Sequence, residues 1–442
     1  MYRLIVLLVS SLFLFSCTQS SSDNLPEKPF SGSNPWPDIR AERIETLLPE
    51  AMERAGVEVW AILCRSNNND PLARHVGCEN AVAPAVYLFE RVDGGVQSTV
   101  FTPPGEATAL QELGLHDTIE IVERTEDPMV VAAEYLNRSL SRNGRLALNF
   151  SDTNELADGI SYSQYTRLTN MLIQPVINRI VSADELVYEW LSVKLPAEVD
   201  ILRKAAELTA QWEVEAYQQV VPNESTDRDI ATFLKQKMAE AGVTDAWSPD
   251  QNPLVNSGPD RGHAHSTDRV IRPGDVIQID FGIRVYDTWV SDIQRFAYVL
   301  APGQAEAPED IQRYWAVARE GSKRAYEAME PGVAGLEVDR VQRNWMNENG
   351  SMNVLWNTGH PVGYVAHDIG PSLGGAQDGR DPSPAAYREL RSGNVFAYDG
   401  FYKWEIEGGT KTISVEEMAV ITENGAEYLT DPQEELILIT SD

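Results

Sequence analysis

The feature that most constrains this chain is an order of elements that it runs through twice. From residue 202 onward, helical periodicity gives way to strand-like runs, and then the same order returns. Leu202, Ala205, Thr209, Trp212 and Ala216 share one helical face. The next helix starts at Thr226 as N-cap, with Asp229 at N3. It continues through Ile230, Leu234 and Met238 and stops at Gly242. Strands are expected over Val276–Val285 and Trp289–Leu300. Helices follow over Glu309–Met329 and Leu336–Asn349. Strands then return over Asn394–Phe401, Thr410–Val415 and Met418–Thr422. Helices then strands, twice, predict an α+β domain made of two related halves.

The 442 residues exceed what one hydrophobic core serves, so a second domain is expected. Residues 36–190 supply it, and the larger domain occupies 191–442. Ile39–Ala55 reads as an amphipathic helix closed by Gly56, and Val57–Leu63 as a strand. Ala85–Val92 and Val96–Phe101 form a hairpin around Asp93-Gly94-Gly95. A helix at Met129–Leu140 and a strand at Arg145–Phe150 complete a smaller α/β unit. It carries no visible chemistry, and His75 and His116 are isolated there. Cys64 and Cys78 lack zinc spacing. They form either a disulfide across a polar loop or two separate thiols.

The first residues are a targeting signal rather than part of the fold. Arg3 precedes the apolar run Leu4–Phe15, which is too short to span a bilayer. Leu14-Phe15-Ser16-Cys17 resembles the lipobox of bacterial lipoproteins. That resemblance implies removal of residues 1–16, a lipid on Cys17, a tether over 17–35, and a location on the cell envelope. A plain secretory signal is the alternative. The net charge of −31 excludes nucleic acid as a partner, since phosphate binding needs a basic footprint. The acid is spread along the chain, as on a well-solvated surface.

The chemistry lies in carboxylates set inside apolar strands. Asp280 ends the run Val276-Ile277-Gln278-Ile279, and Asp292 lies in the returning strand. A hairpin through Tyr286-Asp287 would bring the two together across the sheet, and like charges so close need a cation between them. The alternative is separate pairing with Arg284 and Arg295. Asp399 follows Val395-Phe396-Ala397-Tyr398, and Glu416 follows Ile413-Ser414-Val415. His360 follows Gly359. Four carboxylates and an imidazole form a donor set suited to two divalent ions, manganese first, with cobalt, iron or zinc also fitting.

These segments resemble the pita-bread-fold metallopeptidases, the family of aminopeptidase P, prolidase, methionine aminopeptidase and creatinase. The resemblance rests on Asp280-Phe281-Gly282, Ser291-Asp292, Gly359-His360, Val365-Ala366-His367-Asp368 and Val415-Glu416-Glu417 followed by Thr422 and Gly425. It implies that Asp280, Asp292, His360, Asp399 and Glu416 hold two metal ions, with Asp292 and Glu416 bridging. Glu417 is the neighbouring alternative to Glu416. His263 then matches the substrate-binding histidine, with His265 as its rival, and His367 matches the histidine that steadies the tetrahedral intermediate. The implied reaction is hydrolysis of N-terminal Xaa-Pro bonds in proline-containing peptides, by a protein that is often a homodimer. A creatinase-like hydrolase of a small compound and a catalytically weakened peptide binder are the alternatives.

Two departures stand out. The Asp280-to-Asp292 spacing is one residue longer than is common, which a longer turn absorbs. Asp399 stands where the family usually carries a glutamate followed by proline; here Gly400 follows. Aspartate keeps the charge but is one methylene shorter, which bears more on proton transfer than on metal binding. Glu405 and Glu407 are the nearby longer carboxylates.

Overall fold

A computed structural model describes residues 28–140, 144–262, 264–375 and 380–441. The expected leader, Cys17, most of the tether and His263 lie outside these residues. Among the described residues, no helix is long and apolar enough to cross a membrane.

The N-terminal region is built on a six-stranded mixed sheet. Its strands are β1 (Val59–Cys64), β2 (Ala85–Val92), β3 (Gly95–Thr102), β4 (Thr118–Ile121), β5 (Leu146–Leu148) and β6 (Ile180–Ser182), in the order β4-β3-β2-β1-β5-β6. The expected hairpin forms, with Val92 opposite Gly95. Gly56 ends the preceding helix with φ of 62°, in the left-handed region where glycine is favoured. Cys64 closes β1 and Cys78 follows a short helix. Their Cα atoms are 6.3 Å apart and the two are joined as a disulfide, which decides between the two possibilities left open by the spacing. His75 and His116 are buried, and the loss of solvation pushes them down to about 3 and about 4, so both rings are neutral.

The second region follows the helix–strand order twice. The helix Pro196–Tyr217 buries Leu202, Ala205, Thr209, Trp212 and Ala216, the face expected from their spacing. The helix Asp227–Ala241 starts at Thr226 in a reciprocal cap with Asp229. The strands that follow are β7 (Thr244–Asp245), β8 (Leu254–Ser257), β9 (Val276–Phe281), β10 (Ile283–Val285), β11 (Trp289–Val290) and β12 (Ile293–Val299). Helices Glu309–Ala328 and Gly335–Glu348 come next. The chain then returns as β13 (Gly359–Pro361), β14 (Val395–Ile406), β15 (Gly409–Thr422), β16 (Gly425–Tyr428) and β17 (Ile437–Ile439). The main sheet runs β13-β14-β15-β12-β9-β8, with β16 beside β15 and β17 beside β12.

Two expected strands are each broken in two. The apolar run Val276–Val285 divides at Gly282, where a side chain would lie 2.1 Å from Ser291 O and 2.5 Å from the Trp247 ring. The return run divides at Ser291-Asp292. β9 and β12 therefore belong to the main sheet, while β10 and β11 turn away into a small sheet in which β10 lies between β11 and β7. Tyr286 and Asp287 make the connecting turn with φ of 51° and 54°. In the opposite sense, the two strands expected over Thr410–Thr422 are one continuous strand, so Glu416 sits mid-strand.

Candidate metal centre

Strand alternation dictates which side chains meet. Ile277, Ile279, Phe281 and Ile293 pack in one core with Leu202 and Trp212 of the first helix. Asp280, Asp292 and Gln294 therefore face the other way. Phe396, Tyr398, Ala419 and Ile421 pack with Ala325 and Val338 from the second helix pair, which turns Asp399 and Glu416 the same way. All five line one cavity of about 710 Å³, together with His360 and His367.

The register forms a row across four strands. Asp280 lies opposite Gln294, Gln294 opposite Glu416, and Glu416 opposite Asp399. Asp292 immediately precedes β12, two residues before Gln294, and is thus diagonal to Asp280 rather than directly across from it. His360 comes from β13, next to β14. Its Nδ1 lies 3.3 Å from Pro361 O, which leaves Nε2 for the acids. Nε2 is 3.8 Å from Asp292 Oδ2 and 3.7 Å from Glu416 Oε1. Ligand atoms of these three residues all lie within 4.8 Å of one another, a span that one ion can bridge. Asp280 and Asp399 line the same cavity beside that trio.

The arginine-pairing alternative is removed by where the guanidinium groups go. Arg284 donates to the carbonyls of Tyr364 and Ala246. Arg295 points to the back of the sheet, where it pairs with Glu417 at 3.0 Å. Glu417 also accepts from Gln433 N, so it is occupied on the far side and Glu416 is the residue that faces the cavity. Asp399 Oδ1 and Glu416 Oε2 are buried and find no hydrogen-bond partner among the described residues. Burial pushes the Asp280 carboxyl up to about 7, and burial reinforced by the neighbouring acids holds Asp292, Asp399 and Glu416 well above the usual range. Orphaned buried carboxylate oxygens around one imidazole fit hard-to-borderline divalent cations.

The remaining candidates divide. His367 lines the cavity and stacks on His360 at 4.0 Å between ring centroids. His265 is not among the cavity residues and lines a separate shallow depression near Arg228. His263 is not described, but its neighbours Arg261 and Gly262 line the cavity. Glu405 and Glu407 are exposed near the β14–β15 turn. Glu405 is six residues along β14 from Asp399, roughly 20 Å away at ~3.3 Å per residue, so neither supplies the missing methylene.

Sequence reasoning missed Gln294. Its Oε1 accepts from Gln278 Nε2 and Ser414 Oγ, both at 2.7 Å. With the oxygen end taken, the amide nitrogen is left for Glu416, whose ionised form it favours. The available signal was its place two residues after Asp292, on the same face. Gln294→Leu is expected to weaken divalent-metal affinity about 10- to 100-fold. Calorimetric titration with manganese checks this, and an unchanged affinity would deny the role.

Such a donor set, crowded with buried acids and with carboxylate oxygens of Asp399 and Glu416 that find no hydrogen-bond partner among the described residues, suits a divalent-metal hydrolase. Comparison with known proteins then narrows the class. Residues 200–423 match metallopeptidase family M24, half of the chain, and the chain belongs to that family. It is 25% identical over 279 residues to a Xaa-Pro dipeptidase of Pyrococcus furiosus, covering 62% of this chain and 73% of that one. It is 26% identical over 265 residues to a probable dipeptidase PepE of Mycobacterium tuberculosis, covering 59% and 64%. Among solved structures, an X-Pro aminopeptidase from Thermotoga maritima superposes with a TM-score of 0.63 at 21% identity, over 88% of this chain and 100% of that one. PepE from Mycobacterium ulcerans gives 0.65 at 20% identity, over 91% and 99%. The fold is the pita-bread fold, and the chain is a metal-dependent peptidase of that family.

Proposed function

We propose that this protein releases the N-terminal residue from Xaa-Pro peptides at a two-metal site. The observation that carries the reading is the row Asp280–Gln294–Glu416–Asp399, with His360 Nε2 3.7 Å from Glu416. The Xaa-Pro preference is supported by the relatives described as Xaa-Pro dipeptidases.

Asp280, Asp292, His360, Asp399 and Glu416 would hold the ions, with Asp292, His360 and Glu416 as the residues whose ligand atoms converge. Two divalent ions, manganese first, would lower the pKa of a water and polarise the scissile carbonyl. Asp399 takes the proton of the attacking water and delivers it to the leaving proline nitrogen. His367, beside His360, donates to the oxygen that gains charge. His263 is assigned to substrate binding. The buried floor keeps bulk water from the acids and strengthens each interaction. A metal-free, creatinase-like mechanism would leave the orphaned acids of the floor without a counter-charge.

The test is turnover of manganese-loaded protein on Xaa-Pro dipeptides and tripeptides, with Xaa-Ala peptides as controls. Chelator-sensitive release of the first residue is expected, with proline favoured over alanine. Purified protein that takes up no metal and cleaves none of these peptides would sink the proposal.

A further inference from the structure

The segment between His360 and His367 is short and mostly irregular, yet both its ends must be placed against the acid row. Its middle is tied down by a buried ionic cluster. Tyr364 donates its hydroxyl to Glu198 Oε1 at 2.6 Å. Glu198 is fully buried. Its Oε1 also accepts from Trp289 Nε1 at 3.1 Å, and its Oε2 from Arg43 Nη1 at 2.6 Å and Leu195 N at 2.9 Å. Asp368 Oδ2 accepts from Tyr364 N at 2.9 Å and lies 3.2 Å from Lys194 Nζ, both side chains 1% exposed. Lys194 also sits 4.8 Å over the Tyr364 ring. Gly363 leaves the room this needs, because a side chain there would lie 2.3 Å from Lys194 Cε.

The cluster joins the two regions. Arg43 belongs to the N-terminal region, and His75 from the same region packs edge-on against Tyr364 at 4.9 Å. Lys194 and Glu198 lie at the junction, while Tyr364 and Asp368 lie in the site loop. Burying so many charges costs desolvation that apolar side chains would avoid, so such a cluster is poor evidence of added stability and better evidence of a fixed position. Every oxygen of Glu198 and Asp368 has a donor, which removes alternative arrangements of the loop.

We propose that Tyr364, held by Glu198, and Asp368, held by Lys194, are positioning residues that set His360 and His367 against the acid row, so that the N-terminal region governs the site through Arg43. The proposal rests on the metallopeptidase reading above. Neither Tyr364 nor Asp368 touches substrate; each acts through the two histidines.

Tyr364→Phe tests it by removing one oxygen and keeping the ring. Asp368→Asn keeps an acceptor for Tyr364 N but drops the charge. Three readouts are taken on cobalt-loaded full-length protein: kcat and KM on a Xaa-Pro dipeptide, the visible absorption spectrum of the bound cobalt, and the melting temperature. Expected are a fall in kcat of about 10-fold or more with KM little changed, a shifted cobalt spectrum, and a loss of only about 2–4 °C. A melting loss with kcat and spectrum unchanged would show a purely structural cluster and overturn the proposal. Tyr364→Phe decides the matter if Asp368→Asn fails to fold. Wild-type protein that binds no cobalt and cleaves no Xaa-Pro peptide overturns the metallopeptidase reading itself, and the positioning role with it.

Discussion

Asp399→Glu is expected to raise kcat on Xaa-Pro dipeptides by about 10- to 100-fold, and Asp399→Asn to remove at least about 100-fold. The backbone at this position has no freedom to bring a short side chain nearer. Asp399 N donates to Thr358 O at 2.7 Å, and the residue is locked opposite Glu416 in a continuous ladder from Val395 to Ile406. Reach is therefore set by the side chain alone, and aspartate falls about one carbon–carbon bond short of glutamate. Its Oδ1 lacks a partner among the described residues, so the deficit is not filled by a neighbour. The cavity of about 710 Å³ has space for one more methylene. The asparagine variant keeps shape but cannot accept a proton. Each variant is assayed at measured metal occupancy, which separates proton transfer from metal loss. Equal kcat for aspartate and glutamate would mean that the reach of this carboxylate does not limit the reaction.

Much of this site could be read from sequence because the acids break a strong pattern. Asp280 and Asp399 each end a run of residues with no other charge, and a lone carboxylate there demands a partner. Choosing between Glu416 and Glu417 was harder. Adjacent strand residues face opposite sides, and hydropathy does not say which side is the cavity. Arg295 and Gln433, distant in sequence, decide it by occupying Glu417. The break at Gly282 was hidden for a similar reason. Hydropathy is unbroken through Val285, and the cause is the approach of Ser291 and Trp247 in space. The cluster around Glu198 was invisible altogether. Lys194 and Glu198 near a helix start read as ordinary surface charges and capping, and their buried partners, Asp368 and Arg43, are far away in sequence. Trp356 likewise reads as a loop tryptophan. It reaches the cavity because Arg343 holds the carbonyls of Val354 and Trp356 from the neighbouring helix.

Removing the divalent ions should make this protein lose stability as pH rises, the reverse of ordinary acid denaturation. In the metal-free fold, burial lifts Asp280 to about 7 from 3.8, and Asp292, Asp399 and Glu416 also stand well above their usual values. Between about pH 4 and pH 7 the folded chain therefore holds more protons than the unfolded one, and the slope of unfolding free energy with pH is negative. A shift of about three units costs on the order of 4 kcal/mol once pH passes the folded value. Below the unfolded value the penalty vanishes, because both states are protonated. Metal binding works in the other direction, since the ions need the ionised carboxylates and displace their protons, so affinity grows with pH. The melting temperatures of manganese-loaded and chelator-stripped protein should thus diverge between pH 5 and pH 8, by more than about 5 °C across that range. Scanning fluorimetry at four pH values measures the gap. Curves that stay parallel would mean that the acids are ionised and paired without metal, which the orphaned oxygens of Asp399 and Glu416 argue against.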